Sequence, residues 1–355
     1  MTPRFHPLRI VEVRRETPDS VSLRFEVPPA LAQEYAFVQG QHVTLRTHLD
    51  GSEVRRSYSI CAGVDDGELR VAIKHVPGGL FSSFANTRLQ AGDTIDVLTP
   101  EGRFNTPLDP SQAKHYVAFA AGSGITPVLS LIKTTLAREA ASRFTLFYGN
   151  RRQSCVMFLE ALEDLKDRYL HRFTLYCLFS RDHQDVALFN GRLDREKVLA
   201  LVGSLVPVGA IDEVFVCGPG AMIDEAADAL HERGVPAARI HMERFGVPGQ
   251  VPAHRVEPGD APHAMIEVAI DGSRRELQFF ESDPSILDAA LRAGVELPYS
   301  CRGGMCCTCR GKILSGKVRM DKNYSLEPRD LEAGFVLTCQ AHPLTDRVVI
   351  SFDDR

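Results

Sequence analysis

The 355-residue chain predicts a multidomain fold. An antiparallel β-barrel is expected over residues 1–107, and an α/β unit with a doubly wound parallel sheet over 108–245. After a linker at 246–263, a small α+β unit follows over 264–355. Three observations carry this expectation. Short runs of alternating polarity, separated by turn residues, fill the first part. From about Leu108, strand-like and helix-like periods alternate. The last part follows a Pro- and Gly-rich stretch and packs four cysteines into nine positions. A chain of this length also exceeds what one hydrophobic core ordinarily supports.

In the first part, "LRIVEVRRE", "SVSLRFEVP", "HVTLRTHL", "EVRRSYSI" and "ELRVAIKHV" alternate with a period of two, as strands of a small barrel do. In the second, "HYVAFAAGSGITPVLSLIKTTL" is a strand, a glycine turn and a helix with Pro127 in its first turn. "FTLFYGN", the helical "VMFLEALEDLKDRY", "FTLYCLFS" and the strand–turn–helix "EVFVCGPGAMIDEAADALHERG" continue the pattern. Such alternation gives a parallel sheet with ligand expected at the carboxyl ends of its strands. "GVPGQVPAHRVEPGDAPH", Gly246 to His263, has neither period and reads as a linker. Beyond it, "AMIEVAIDG" and "RELQFF" form a hairpin, "DPSILDAALRAG" a capped helix from Asp283 to Gly294, and "RVVISFDD" a closing strand.

Composition narrows the function. A net charge of −5 leaves no basic footprint for nucleic acid or an anionic membrane. The start, "MTPRFHPLRIVEV", has no charged leader and apolar segment, and the longest apolar run is broken by glycines and hydroxyls, so a soluble cytoplasmic protein is expected. Nine cysteines, an odd number without a secretion signal, speak against a disulfide framework. Cys301, Cys306 and Cys309 fit C-x4-C-x2-C, and Cys339 follows after 29 intervening residues. This is the plant-type [2Fe-2S] spacing. A zinc ribbon would show two C-x2-C pairs, and only Cys306 to Cys309 has that spacing. Gly303 and Gly304 let the loop close around a cluster, and Cys307 has no place in the pattern. The segment from about Ala264 to Arg355 thus resembles a plant-type ferredoxin, which implies a β-grasp fold and one-electron chemistry.

"RRSYSI" places Arg56, Tyr58 and Ser59 in register with the R-x-Y-S motif of the ferredoxin-NADP reductase superfamily. The resemblance implies that Arg56 neutralises the pyrophosphate of FAD, Tyr58 packs on the isoalloxazine and Ser59 lies where hydride arrives. A fork of donors suits phosphate, and an aromatic face suits a flat ring. "PGGLFSSF" resembles the family's second flavin element, in which Gly79 to Ser82 offer backbone N–H groups and a hydroxyl to the same pyrophosphate. "GSGITP", with Gly122, Gly124 and Thr126, and "CGPG", with Cys217, Gly218 and Pro219, resemble its nicotinamide half. Thr126 and Cys217 are thereby implied at the hydride-transfer locus, beside Ser59. Ser180 and Arg181, with Asp182 beside them, stand where NADP-preferring members hold the 2'-phosphate, so NADPH is the expected donor. Phe245 in "MERFG" matches the terminal aromatic that covers the flavin.

The order flavin barrel, nicotinamide unit, ferredoxin is the layout of oxygenase reductases. Within it, "YGNRR", "MERF" and "DKNYSLEP" resemble the reductase subunits of phenylacetyl-coenzyme A epoxidase complexes. That resemblance implies a relay from NADPH through FAD and the [2Fe-2S] cluster to a separate multicomponent di-iron oxygenase, in aerobic phenylacetate degradation. Arg302 and Arg310 are candidates for meeting that partner. Another oxygenase or hydroxylase, a hybrid-cluster protein, or a redox-sensing interaction role stays open at this point.

Overall fold

A computed structural model describes residues 3–246 and 257–354; residues 247–256, the middle of the expected linker, lie outside the described residues. The chain forms two compact units, one built from His6–Val54 and Tyr58–Arg244, the other from Phe245–Arg355 together with Met1–Phe5 and Arg55–Ser57.

The first unit begins with β1 (Phe5–Thr17), β2 (Ser20–Glu26), β3 (His42–Leu49), β4 (Ser52–Ser59), β5 (Leu69–Lys74), α1 (Leu80–Thr87) and β6 (Thr94–Leu98). The strands lie in the order β4-β3-β6-β1-β2-β5, and a bridge from Ile60 to Val71 links the end of β4 to β5 and closes the sheet. Alternation puts Leu8, Ile10, Val21, Leu23, Val43, Leu45, Val71 and Val97 inside. Phe81 and Ala85 of α1 join that core.

The same unit continues as β7 (His115–Ala121), α2 (Ile125–Arg138), β8 (Arg143–Asn150), α3 (Leu159–Arg168), β9 (Phe173–Phe179), α4 (Arg195–Leu205), β10 (Glu213–Gly218), α5 (Gly220–Glu232) and β11 (Ile240–Arg244). The sheet order is β11-β10-β7-β8-β9, with every neighbour parallel. Successive residues of β7 feed two cores. Tyr116, Ala118 and Ala120 pack with Val128, Leu129 and Ile132 of α2, while Val117 and Phe119 pack with Leu201, Ile223 and Leu230 of α4 and α5. Strand order reverses between β7 and β10, which opens a crevice at their carboxyl ends. Barrel and sheet share apolar contacts: Phe104 meets Phe215 edge-on at 5.3 Å, and Cys61 and Ala72 lie in the core built on α2.

The second unit contains β12 (Met265–Ile270), β13 (Ser273–Gln278), α6 (Ile286–Arg292), β14 (Arg310–Ser315), β15 (Val318–Met320), α7 (Pro328–Glu332), β16 (Phe335–Leu337), β17 (Ala341–Pro343) and β18 (Arg347–Ser351). Its main sheet runs β13-β12-β18-β14-β16, with β12 and β18 parallel. This is a mixed β-grasp sheet over α6.

Two helices are shorter than their periodicity suggests. α6 starts only at Ile286, because the Ser285 hydroxyl accepts from the Asp288 N–H at 3.2 Å. Asp283 instead sits in the preceding turn, accepting from the Phe280 N–H and pairing with Arg292. α3 starts at Leu159, because buried Phe158 adopts a left-handed φ of 60° that ends helical continuity upstream. Among the described residues, no helix is long and apolar enough to cross a membrane.

Candidate functional site

On β4, Arg56, Tyr58 and Ser59 are consecutive or alternate residues, so the strand alone sets their spacing. Arg56 is half-buried and donates to the Arg55 carbonyl at 2.7 Å. The ring of Tyr58 lies 5.5 Å from that of Phe81, tilted by 40°, which brings the start of α1 to the same place. No side chain caps that helix, so its first N–H groups are available to an anion. A side chain at Gly79 would collide with the Ser82 hydroxyl at 2.6 Å and approach the Val76 carbonyl at 3.1 Å. Ser82 is itself buried, and its hydroxyl serves the turn: it accepts from the Val76 N–H at 3.1 Å and donates to the Gly79 carbonyl at 3.2 Å. The backbone, more than the hydroxyl, is what this turn offers a pyrophosphate. An aromatic face, a guanidinium and an uncapped helix start fit FAD in chemistry.

At the sheet crevice, Gly122 holds φ 55° and leads into α2, whose start also lacks a side-chain cap. Gly124 is pressed against β10: a Cβ there would sit inside the Cys217 carbonyl and crowd the Gly218 N–H. The two glycine motifs, separate in sequence, are thereby in direct contact. Thr126 is buried and donates to the Ser123 carbonyl at 3.0 Å. Pro219 precedes α5, likewise without a side-chain cap, so two helix starts point their positive ends at one crevice, as a dinucleotide phosphate requires.

Ser59, Cys217 and a residue not foreseen from sequence, Glu243, meet here. Glu243 is in register with Cys217 across β10 and β11, and the Ser59 hydroxyl donates to its Oε2 at 2.9 Å. Although the residue keeps some exposure, its carboxyl is deep enough that burial pushes its pKa up to about 8, against a smaller lowering by the Ser59 hydrogen bond. Burial also drives the Cys217 thiol well above its usual range, and the Glu243 charge adds to that. Both shifts favour the protonated forms. Glu243 lies two residues before the aromatic of "MERFG", and only its register with Cys217 and the bond from Ser59 mark it out. Phe245 directly follows β11 and is partly exposed.

Beyond β9, Ser180 and Arg181 are exposed. Their N–H groups donate to the Asn150 and Arg151 carbonyls at 3.0 and 2.9 Å, so Arg151 and Arg181 stand side by side. Neither guanidinium has a side-chain partner among the described residues. Asp182 accepts from the Gln153 N–H at 2.9 Å and lies 3.8 Å from Arg152, so its charge is answered by the β8–α3 loop. The group of Arg151, Arg152, Arg181 and Asp182 is net positive, which suits a 2'-phosphate.

In the second unit, the loop between α6 and β14 carries Cys301, Cys306 and Cys309, and the turn after β16 carries Cys339. Among the described residues, no three cysteine, histidine or carboxylate groups converge about one point. The four thiols stand instead as two pairs of neighbours, Cys301 beside Cys306 and Cys309 beside Cys339. Two pairs fit a binuclear cluster, in which each iron takes two thiolates. The Gly303 and Met305 N–H groups each donate to Cys301 Sγ at 3.4 Å. Arg302 (φ 52°), Gly304 (φ 77°) and Cys307 (φ 55°) all take left-handed backbone to wrap this loop. Cys307 points away, its thiol donating to the Ser325 carbonyl at 3.3 Å. Arg302 pairs with Asp288. Arg310 pairs with Asp330 at 3.4 Å and lies over the Phe335 ring.

Three family profiles match in the same order: "Oxidoreductase FAD-binding domain" over residues 7–106, "Oxidoreductase NAD-binding domain" over 119–228 and "2Fe-2S iron-sulfur cluster binding domain" over 268–344. The chain is 47% identical over 349 residues to a subunit of the 1,2-phenylacetyl-CoA epoxidase of Escherichia coli K12, covering 98% of each. It is 34% identical to the ferredoxin reductase component of a 3-ketosteroid-9-alpha-monooxygenase from Rhodococcus rhodochrous, covering 97% of this chain and 96% of the relative. The fold is similar to that of phthalate dioxygenase reductase, with a TM-score of 0.58 at 23% identity and 98% of each chain covered.

Proposed function

This chain belongs to the flavin and iron–sulfur reductase components of multicomponent oxygenases, and we propose that within that family it draws on NADPH to serve a di-iron epoxidase of phenylacetyl-coenzyme A in the cytoplasm. As a member, it is an oxidoreductase that uses FAD, NAD(P)H and a [2Fe-2S] cluster to deliver electrons to an oxygenase. The end-to-end identity to the epoxidase component carries the finer reading.

Bound FAD supplies the exchange between a two-electron donor and a one-electron acceptor. The chain's own groups prepare that exchange. Arg56 and the start of α1 hold the pyrophosphate, with Gly79 and Ser82 shaping the turn, and Tyr58 offers its ring to the isoalloxazine. Gly122, Gly124, Gly218 and Pro219 open two helix ends to the dinucleotide phosphates. Ser180 and Arg181, with Arg151 beside them, favour NADPH over NADH. Thr126, Ser59 and Cys217 are nearly solvent-free, so they exclude water where the nicotinamide is to lie, with Phe245 covering the flavin. Glu243 accepts from the Ser59 hydroxyl and so orients it. Cys301, Cys306, Cys309 and Cys339 hold the cluster from which electrons leave.

The test is NADPH- and oxygen-dependent conversion of phenylacetyl-coenzyme A by the di-iron oxygenase components, with and without this chain. Turnover only in its presence is expected. Turnover that fails here, while the chain supports a 3-ketosteroid monooxygenase, would move the acceptor to another oxygenase.

A further inference from the structure

Gln340 follows the last of the four cysteines, and only 2% of it is exposed. Its Nε2 lies 3.1 Å from the Arg302 carbonyl, 2.8 Å from the Cys339 carbonyl and 3.6 Å from Cys339 Sγ. Its Oε1 is buried with no hydrogen-bond partner among the described residues. Turning the amide over would set an oxygen against two carbonyls and a sulfur, all acceptors, so chemistry fixes the donor face inward. An unpaired buried amide oxygen is a cost that an apolar side chain of the same size would not incur. The side chain is also wedged. A Cβ on Gly304 would come within 3.3 Å of Gln340 Cγ, and the Asp321 N–H donates to the Gln340 carbonyl at 3.0 Å.

We propose that Gln340 is a positioning residue of the cluster site: its amide straps the Cys301 loop to the Cys339 turn and donates a hydrogen bond to the Cys339 sulfur, which raises the cluster's reduction potential. The inference rests on reading the four cysteines as ligands. Cys301 takes two backbone donors within its own loop, whereas Cys339 takes a side-chain donor from Gln340. Reduction adds one electron to the cluster. A donor aimed at a ligand sulfur stabilises that added charge more than the oxidised state. The carbonyl of Arg302, a residue held in left-handed backbone, is fixed by the same amide.

The experiment uses the full chain loaded with FAD and cluster, comparing wild type with Gln340→Met and Gln340→His. Iron and sulfide content, visible circular dichroism and an EPR-monitored redox titration are read for each. For Gln340→Met we expect a retained cluster with a more negative midpoint. At fixed poise the reduced-to-oxidised ratio should fall about tenfold, which is about 59 mV for one electron. Gln340→His, which restores an N–H donor, should recover part of that shift. A loaded Gln340→Met protein with an unchanged midpoint overturns the proposal. If Gln340→Met holds no cluster, a loaded Gln340→His near the wild-type midpoint supports it, and loss from both variants overturns the donor role. Wild-type protein lacking iron and sulfide would instead sink the ligand reading beneath it.

Discussion

Glu243 ties a side chain's proton to the whole fold. Its folded-state pKa stands near 8, raised by burial, so the native chain holds a proton that the unfolded chain releases near its ordinary carboxylate range. The stability this provides is full at acid pH, below that range, and is lost as pH rises through about 8. At about 1.4 kcal/mol per pKa unit, the loss is on the order of a few kcal/mol. Glu243→Gln, which keeps the shape and carries no charge, should therefore gain on wild type as pH rises from 5 to 9; urea midpoints at both ends measure it, and parallel curves would refute it. At the cluster, Cys301→Ser, Cys306→Ser, Cys309→Ser and Cys339→Ser should each strip or badly disturb the cluster, because these four stand in two pairs. Cys307→Ser should keep its iron, sulfide and visible spectrum, because that thiol already faces the Ser325 carbonyl. Arg181→Ala should raise the KM for NADPH by about 10–100-fold, the worth of a charge-assisted hydrogen bond, and leave NADH nearly unchanged. Equal effects on both dinucleotides would mean that Arg181 holds something shared.

Among the elements, the glycine turn before α2 and the end of β10 show why spacing alone could not describe the nucleotide site. "GSGITP" and "CGPG" were legible as turns, but their contact depends on the strand order placing β7 beside β10, which no local period encodes. Gly124→Ala would drive a methyl into the Cys217 carbonyl. It should weaken dinucleotide binding at least tenfold and lower stability by about 1–3 kcal/mol through overpacking, while FAD content stays near one per chain. Titration with NADP⁺ beside a flavin count checks this, and tight dinucleotide binding by the variant would show that the close approach is dispensable. The barrel strands and β7 to β10 were legible because their apolar runs are buried, and the ferredoxin hairpin because a turn separates its two short runs. The onset of α3 was not, because left-handed Phe158 is held by tertiary burial that its own sequence does not signal. Glu243 escaped for a related reason: an acid in a short edge strand reads as solvated until the register with Cys217 and the bond from Ser59 are seen.

For the whole molecule, the buried cores fall on one side or the other of residues 247–256. The barrel and parallel-sheet cores draw on residues from Leu8 to Leu230 and Val235, and the β-grasp core on Ala264 to Phe352. A chain cut after Gly246 thus retains every buried residue of its own cores, and we expect it to stay folded and yellow. The residues proposed to hold the flavin and the dinucleotide, from Arg56 to Phe245, remain. NADPH should therefore still drive ferricyanide reduction at a rate comparable to the full chain, since that dye takes electrons from an accessible flavin. Delivery to the oxygenase should collapse, because Cys301, Cys306, Cys309 and Cys339 are gone with the fragment removed. Steady-state assays of both activities on the cut chain decide the matter. A folded, FAD-loaded fragment that no longer reduces ferricyanide would mean that the C-terminal unit helps build the flavin site. Undiminished oxygenase turnover would mean that electrons leave the protein without passing the four cysteines.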